Sequence, residues 1–196
     1  SKKHNLSTGL SLNYDDFKET LVTTPYDRRE SVTGGYLQYT FNLNNTFIAL
    51  GGSRADYSSL YGFFVTPRLH LKYMPTDWMH LRASVGKGFR TPNVLAENNY
   101  LLASSRKIHI ADNLAQEEAW NSGINATFYI PIAGKEMTLS GEWYHTRFMK
   151  QVVVDVDSDP HAISFYNLEN GKSYSNSAQI EMSYPFFRGF TLTAAY

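Results

Sequence analysis

From Phe63 to Tyr73 the chain alternates without a break: Phe63, Val65, Pro67, Leu69, Leu71 and Tyr73 oppose Phe64, Thr66, Arg68, His70 and Lys72. A period of two residues belongs to an extended strand, whose successive side chains leave opposite faces. The pattern recurs along the chain. Leu6, Leu10, Leu12 and Tyr14 oppose Asn5, Ser7, Ser11, Asn13 and Asp15, and Leu37, Tyr39 and Phe41 mark a second strand from about Ser31. Phe47, Ala49, Gly51 and Ala55 form a third, with Arg54 and Asp56 on its other face. Leu81, Ala83, Val85 and Phe89 lie opposite His80, Arg82, Ser84 and Arg90, Lys87 being the one misfit. Trp120, Ile124, Ala126, Phe128 and Ile130 then face away from Ala119, Asn121, Asn125 and Thr127. Met137 to about Val154 reads as one long strand, bulged at Gly141 to Tyr144 where the phase slips. Asn176 to Phe186 and Phe190 to Tyr196 bring the total to about nine strands.

Lengths and connections decide the architecture. Short turns around Asn44, Pro75, Gly134 and Arg188 alternate with longer polar connections after Asp15, Arg90 and Val154, the brief Ser58 to Gly62 link being the exception. A soluble sandwich uses strands of about 5 to 6 residues around a shared apolar core. These strands run to roughly 10 or more, keep one polar face, and carry aromatics beside the short turns. Fourteen Tyr and 12 Phe suit a surface that is part apolar and part wet. The expected fold is therefore all-β: an antiparallel transmembrane β-barrel segment, in which every backbone group finds a partner within the sheet. No apolar run approaches the roughly 20 residues of a membrane-spanning helix. Nine strands would leave two unpaired edges, so residues 1–196 are expected to be one partial barrel domain of a larger object. Lys+Arg and Asp+Glu both number 18, which leaves no electrostatic footprint for nucleic acid. The absence of cysteine excludes disulfides and thiolate metal sites.

The candidate functional residues sit in the connections. After Arg90, Thr91-Pro92 reads as a helix start with a Thr N-cap and Pro at the first helical position. The loop that follows holds Asn93, Glu97, Asn98, Arg106, Lys107 and His109. Of the basic residues on the polar faces, Arg90 lies nearest a barrel mouth and is the best placed to meet an anionic ligand. Asp155, Asp157 and Asp159 open like a calcium loop, but Pro160 and Tyr166 stand where an EF-hand needs Gly and Glu. A looser calcium site is thus weighed against a solvated acidic loop, with a small hairpin expected through Ile163 to Leu168. Gly86-Lys87-Gly88 lacks the βαβ context of a phosphate loop. Neither a nucleophile elbow nor paired carboxylates beside a His can be found, so an enzyme is not expected.

Three segments resemble the C-terminal barrel region of TonB-dependent outer-membrane receptors. They are Gly88-Phe89-Arg90-Thr91-Pro92-Asn93 with Glu97, the Asn113-Leu114 to Glu117 segment leading into Trp120 to Ala126, and Tyr166-Asn167 to Glu181 followed by Phe190 to Tyr196. The resemblance implies a barrel of about 22 strands with a plugged lumen, in the outer membrane of a Gram-negative bacterium. Outer loops would capture a scarce nutrient, an iron chelate, haem or cobalamin, and the TonB complex would displace the receptor's own plug. Plug, TonB box and barrel-closing strand are not recognised in this sequence. Arg90, Asn93, Glu97, Asn98, Arg106, Lys107 and His109 would line the ligand's approach. His109 lies where haem receptors of this family carry an iron-binding His. No resident cofactor is implied. The competing readings are a passive porin-like or adhesin-like barrel, and a soluble all-β binding module.

Overall fold

The computed structural model describes residues 3–21, 24–169 and 171–196. Its elements begin with β1 (His4–Phe17), β2 (Thr20–Leu21), β3 (Thr24–Pro25), β4 (Arg28–Leu43), β5 (Phe47–Ser58), β6 (Gly62–Thr76) and β7 (Met79–Arg90). A short helix α1 (Val94–Glu97) and a 3-10 turn (Asn99–Ala103) precede β8 (Lys107–Ile110), β9 (Glu117–Ile132) and β10 (Lys135–Lys150). The chain continues through β11 (Val152–Asp155), β12 (Ala162–Asn167), β13 (Ser173–Phe187) and β14 (Phe190–Ala195).

Among the described residues one antiparallel sheet of nine strands runs β1-β4-β5-β6-β7-β9-β10-β13-β14. Six of these strands are 14 to 16 residues long. The expected wall is present, and its register carries each face across neighbouring strands. Leu71 stands opposite Ala83, Ala83 opposite Ile124, Ile124 opposite Trp143 and Trp143 opposite Ala178. Among the described residues nothing covers this apolar face, where Leu10 is 92% exposed. Such a face finds its apolar medium outside the protein.

On the polar face the side chains bond to one another. Arg68 donates to Gln38 Oε1 at 2.6 Å and Arg82 to Asn125 Oδ1 at 3.2 Å. Arg54 Nε donates to Asp56 Oδ2 at 2.7 Å, and Arg54 also reaches Ser11. Asp56 is 1% exposed because its carboxylate folds over its ladder partner Gly34, where a side chain would collide with it.

The short turns follow from local chemistry. Asn44 (φ 52) and Asn45 (φ 61) both take the left-handed conformation at the centre of a tight turn closed by the Thr46 amide donating to the Leu43 carbonyl at 3.0 Å, and Asn42 Oδ1 accepts from the Asn45 amide at 2.9 Å.

Three local expectations are corrected. Pairing of β10 with β9 runs straight through Gly141 to Tyr144, and the irregularity lies between Phe148 and Lys150. Tyr144 blurred the pattern because its ring covers Gly123, its ladder partner, on the polar face. The long strand from Met137 ends at Lys150, and Val152 to Asp155 joins a second sheet. Ile163 to Leu168 is not a hairpin: β12 pairs antiparallel with β11 and parallel with β8. This sheet weaves the two longest connections into a cap at one end of the wall. Ile163 (1% exposed), Phe165 and Leu95 are buried at this end, together with Glu30, Ser58 and Phe64 from the adjoining ends of the wall strands.

Candidate ligand site at the long-loop end

The end of β7 is a point of attachment. Arg90 Nε donates to Glu117 Oε2 at 2.8 Å, Nη2 donates to the same oxygen, and Nη1 lies 3.2 Å from Glu97 Oε2. Each carboxylate holds something further: Glu117 Oε1 accepts from the Val152 amide at 3.0 Å and Glu97 Oε1 from the Asn93 amide at 3.2 Å. Arg90 therefore ties α1, β9 and β11 to the wall, and two carboxylates answer its charge.

The residues after it are fastened in the same way. Thr91 does not cap the helix; its hydroxyl donates to Glu30 Oε1 at 3.3 Å, an oxygen that also accepts from Ser58 Oγ at 2.7 Å. The N-cap is Asn93, whose side chain makes no capping bond because it accepts from Arg28. Arg28 also donates to the Pro92 carbonyl at 2.9 Å and stands 4.7 Å from the centroid of Phe17. Asn98 Nδ2 donates to the Val94 carbonyl at 2.9 Å. Arg106 Nη1 donates to the Val156 carbonyl at 2.7 Å and so joins one long connection to the other.

Lys107 and His109 differ from the other candidates. They alternate with half-buried Ile108 and Ile110, so both stand on the exposed face of β8. His109 is the ladder partner of Ser164, and Ser164 of Asp155, so these three residues form a row across the cap.

The acidic stretch is used for turns. Asp155 Oδ1 accepts from the amides of Asp157 (3.1 Å) and Ser158 (3.0 Å), and Asp159 Oδ1 from that of His161 (2.7 Å). Hydrogen bonds from Ser158 and the Asp157 amide favour the charged form and hold the Asp155 carboxyl below its ordinary range. Among the described residues no three His, Asp or Glu side chains are gathered closely enough to hold a metal ion.

Beside the cap lies a cavity of about 290 Å³ whose lining includes Tyr26, Asp27, Arg28, Tyr61, Leu95 and Ile110. Burial raises the Tyr61 hydroxyl above its usual value. Arg28 and Glu117, which organise this end, were not among the sequence candidates. The signal for Arg28 was the charged run Asp27-Arg28-Arg29-Glu30, whose last three residues begin β4 rather than lying in a loop.

A model of the family described as TonB dependent receptor-like, beta-barrel, matches residues 3–196. The chain belongs to the TonB-dependent receptor β-barrel family. This is a family of outer-membrane transport receptors of Gram-negative bacteria. No curated protein matches the chain by sequence. Its fold is similar to that of the siderophore receptor PirA from Pseudomonas aeruginosa, with 14% identity, a TM-score of 0.71, and coverage of 98% of this chain and 39% of that one. The FrpB iron transporter from Neisseria meningitidis gives 14% identity and 0.68 over 100% of this chain and 32% of its own. A mutant of the ferric enterobactin receptor PfeA from Pseudomonas aeruginosa gives 12% and 0.72 over 98% and 32%. The chain thus spans about a third to two-fifths of these structures. In this receptor barrel the Phe89-Arg90-Thr91-Pro92-Asn93 segment is a fastening, through which the strand end grips the loop above it.

Proposed function

We propose that this barrel segment belongs to a receptor that imports a ferric chelate, of siderophore type, across the outer membrane. The long-loop end faces the outside, and the complete receptor uses its own plug and the TonB complex. The observation that carries this reading is the cap: the two longest connections fold into one sheet with Lys107 and His109 exposed on it. Two exposed basic or polar groups on a rigid sheet suit an anionic chelate, and the iron and siderophore receptors that share the fold favour that ligand class over cobalamin.

Titration of the full-length receptor with ferric siderophores, haem and cobalamin tests this. A ferric siderophore is expected to bind, with Lys107→Ala weakening it roughly tenfold, the worth of one charge-assisted hydrogen bond. Binding of cobalamin alone would overturn the ligand class. Binding of haem alone, lost in His109→Ala, would reassign it to haem.

A further inference from the structure

The apolar face carries a feature that nutrient uptake does not use. On β10 the residues Gly141, Trp143, His145 and Arg147 share the outward face, opposite Ile180, Ala178, Asn176 and Tyr174 of β13. Low on this face is an apolar depression of about 850 Å³, lined among others by Leu81, Ala83, Ile124, Gly141, Trp143 and Ile180. It exists because small residues, Ala83, Gly141 and Ala178, interrupt a band of large ones. Directly above it is a second cavity of about 300 Å³ that includes His145, Arg147, Lys172 and Tyr174 in its lining and no carboxylate among the described residues.

The ladder gives the depth of this upper cavity. Arg147 is paired with Trp120 on one side and Tyr174 on the other, so the cations sit in a row of interfacial aromatics. Trp143 and His145 stack at 6.1 Å, and His145 Nδ1 lies 2.8 Å from Asn176 Oδ1, which closes the step between the cavities. Elsewhere on this rim the cations are answered within the chain: Lys87 and Lys150 lie 2.5 and 2.6 Å from the Glu118 carboxylate. Arg147 and Lys172 have no such ion pair among the described residues.

We propose that β10 and β13 form a site for a phosphorylated acyl lipid of the outer leaflet. Its phosphate lies between Arg147 and Lys172, and one acyl chain runs down over Gly141 into the apolar depression. From Arg147 to Gly141 is about 20 Å of strand, within the reach of an extended chain. The cations supply the charge that a phosphate requires, and the depression supplies apolar surface in the lipid band. The site depends on the outer-membrane setting of the family and not on which nutrient is imported.

Native mass spectrometry of the full-length receptor in detergent tests the site with three probes: phosphorylated lipid A, its dephosphorylated form, and inorganic phosphate. The phosphorylated lipid is expected to be retained. Arg147→Gln with Lys172→Gln lowers its affinity about tenfold and leaves the dephosphorylated lipid unaffected. Gly141→Leu, at a position where an added Cβ meets no atom within 4 Å, fills the depression and weakens both lipids. Folded barrel is verified for each variant by its shifted mobility on unheated gels. Equal retention of the two lipids, retention of neither, inorganic phosphate binding as tightly as the lipid, or unchanged affinity in the folded variants would each overturn the proposal.

Discussion

Gly34→Ala should be among the most damaging single-methyl additions to this wall. A Cβ at Gly34 would stand 2.5 Å from Asp56 Cγ and 2.8 Å from the Ala55 carbonyl oxygen, so the buried carboxylate must leave. Displacing it separates Asp56 from Arg54, whose Nη2 is 2.6 Å from Oδ1. Breaking a buried pair costs about 3 to 5 kcal/mol. The Arg54 side chain keeps 36% exposure and recovers solvation, so a loss of about 2 to 4 kcal/mol is expected. Urea unfolding of the full-length receptor, reconstituted in bilayers, reads this directly. Gly88→Ala is the control, since nothing lies within 4 Å of a Cβ there, and it should change stability by less than about 1 kcal/mol. In an Asp56→Ala background Gly34→Ala should lose at least about 1 kcal/mol of its effect, as coupled neighbours do. A loss below about 0.5 kcal/mol for Gly34→Ala, or strict additivity with Asp56→Ala, would refute the reasoning.

The cap should yield separately from the wall. Ile163→Ala removes a side chain that is 1% exposed and should weaken the cap by about 2 to 5 kcal/mol. Hydrogen exchange would then quicken in β8, β11 and β12 while β9 and β10 stay protected. Glu117→Gln takes the charge from the Arg90 attachment and should loosen α1 and Val152 by roughly 1 to 2 kcal/mol, seen as faster exchange of the Val152 amide. The lowered Asp155 value gives a pH dependence. The turn's contribution is complete above the unfolded aspartate value of about 3.9 and is lost only as pH falls through the lower folded value. Exchange of the Asp157 and Ser158 amides should therefore stay slow at the unfolded value and quicken only below it.

The wall was legible because membrane strands alternate over long stretches, and the period of two needs no knowledge of neighbours. Where the reading failed, a side chain answered to another strand. Tyr144 stands on the polar face to cover Gly123, which a single-strand pattern registers as a slip. Thr91 has the form of a cap, yet Glu30, 61 positions away, takes its hydroxyl. The pairing of β8 with β12 joins short segments from different connections, and neither segment alternates long enough to announce itself. Arg90 was recognised as special from its place at the mouth, whereas its two carboxylate partners come from β9 and α1 and only the fold brings them together. Lys87, the misfit in its strand, is accounted for by Glu118.

The central claim is that one face of this sheet meets lipid and the other does not. This segment contains no cysteine, so single cysteines can be introduced from Asn121 to Ala126 in the full-length receptor, with any cysteine outside the segment replaced by serine, and labelled with a nitroxide. Accessibility to lipid-dissolved oxygen in bilayers should alternate, high at Ser122, Ile124 and Ala126 and low at Asn121, Gly123 and Asn125. Accessibility without that alternation, or with its phase reversed, would contradict the account.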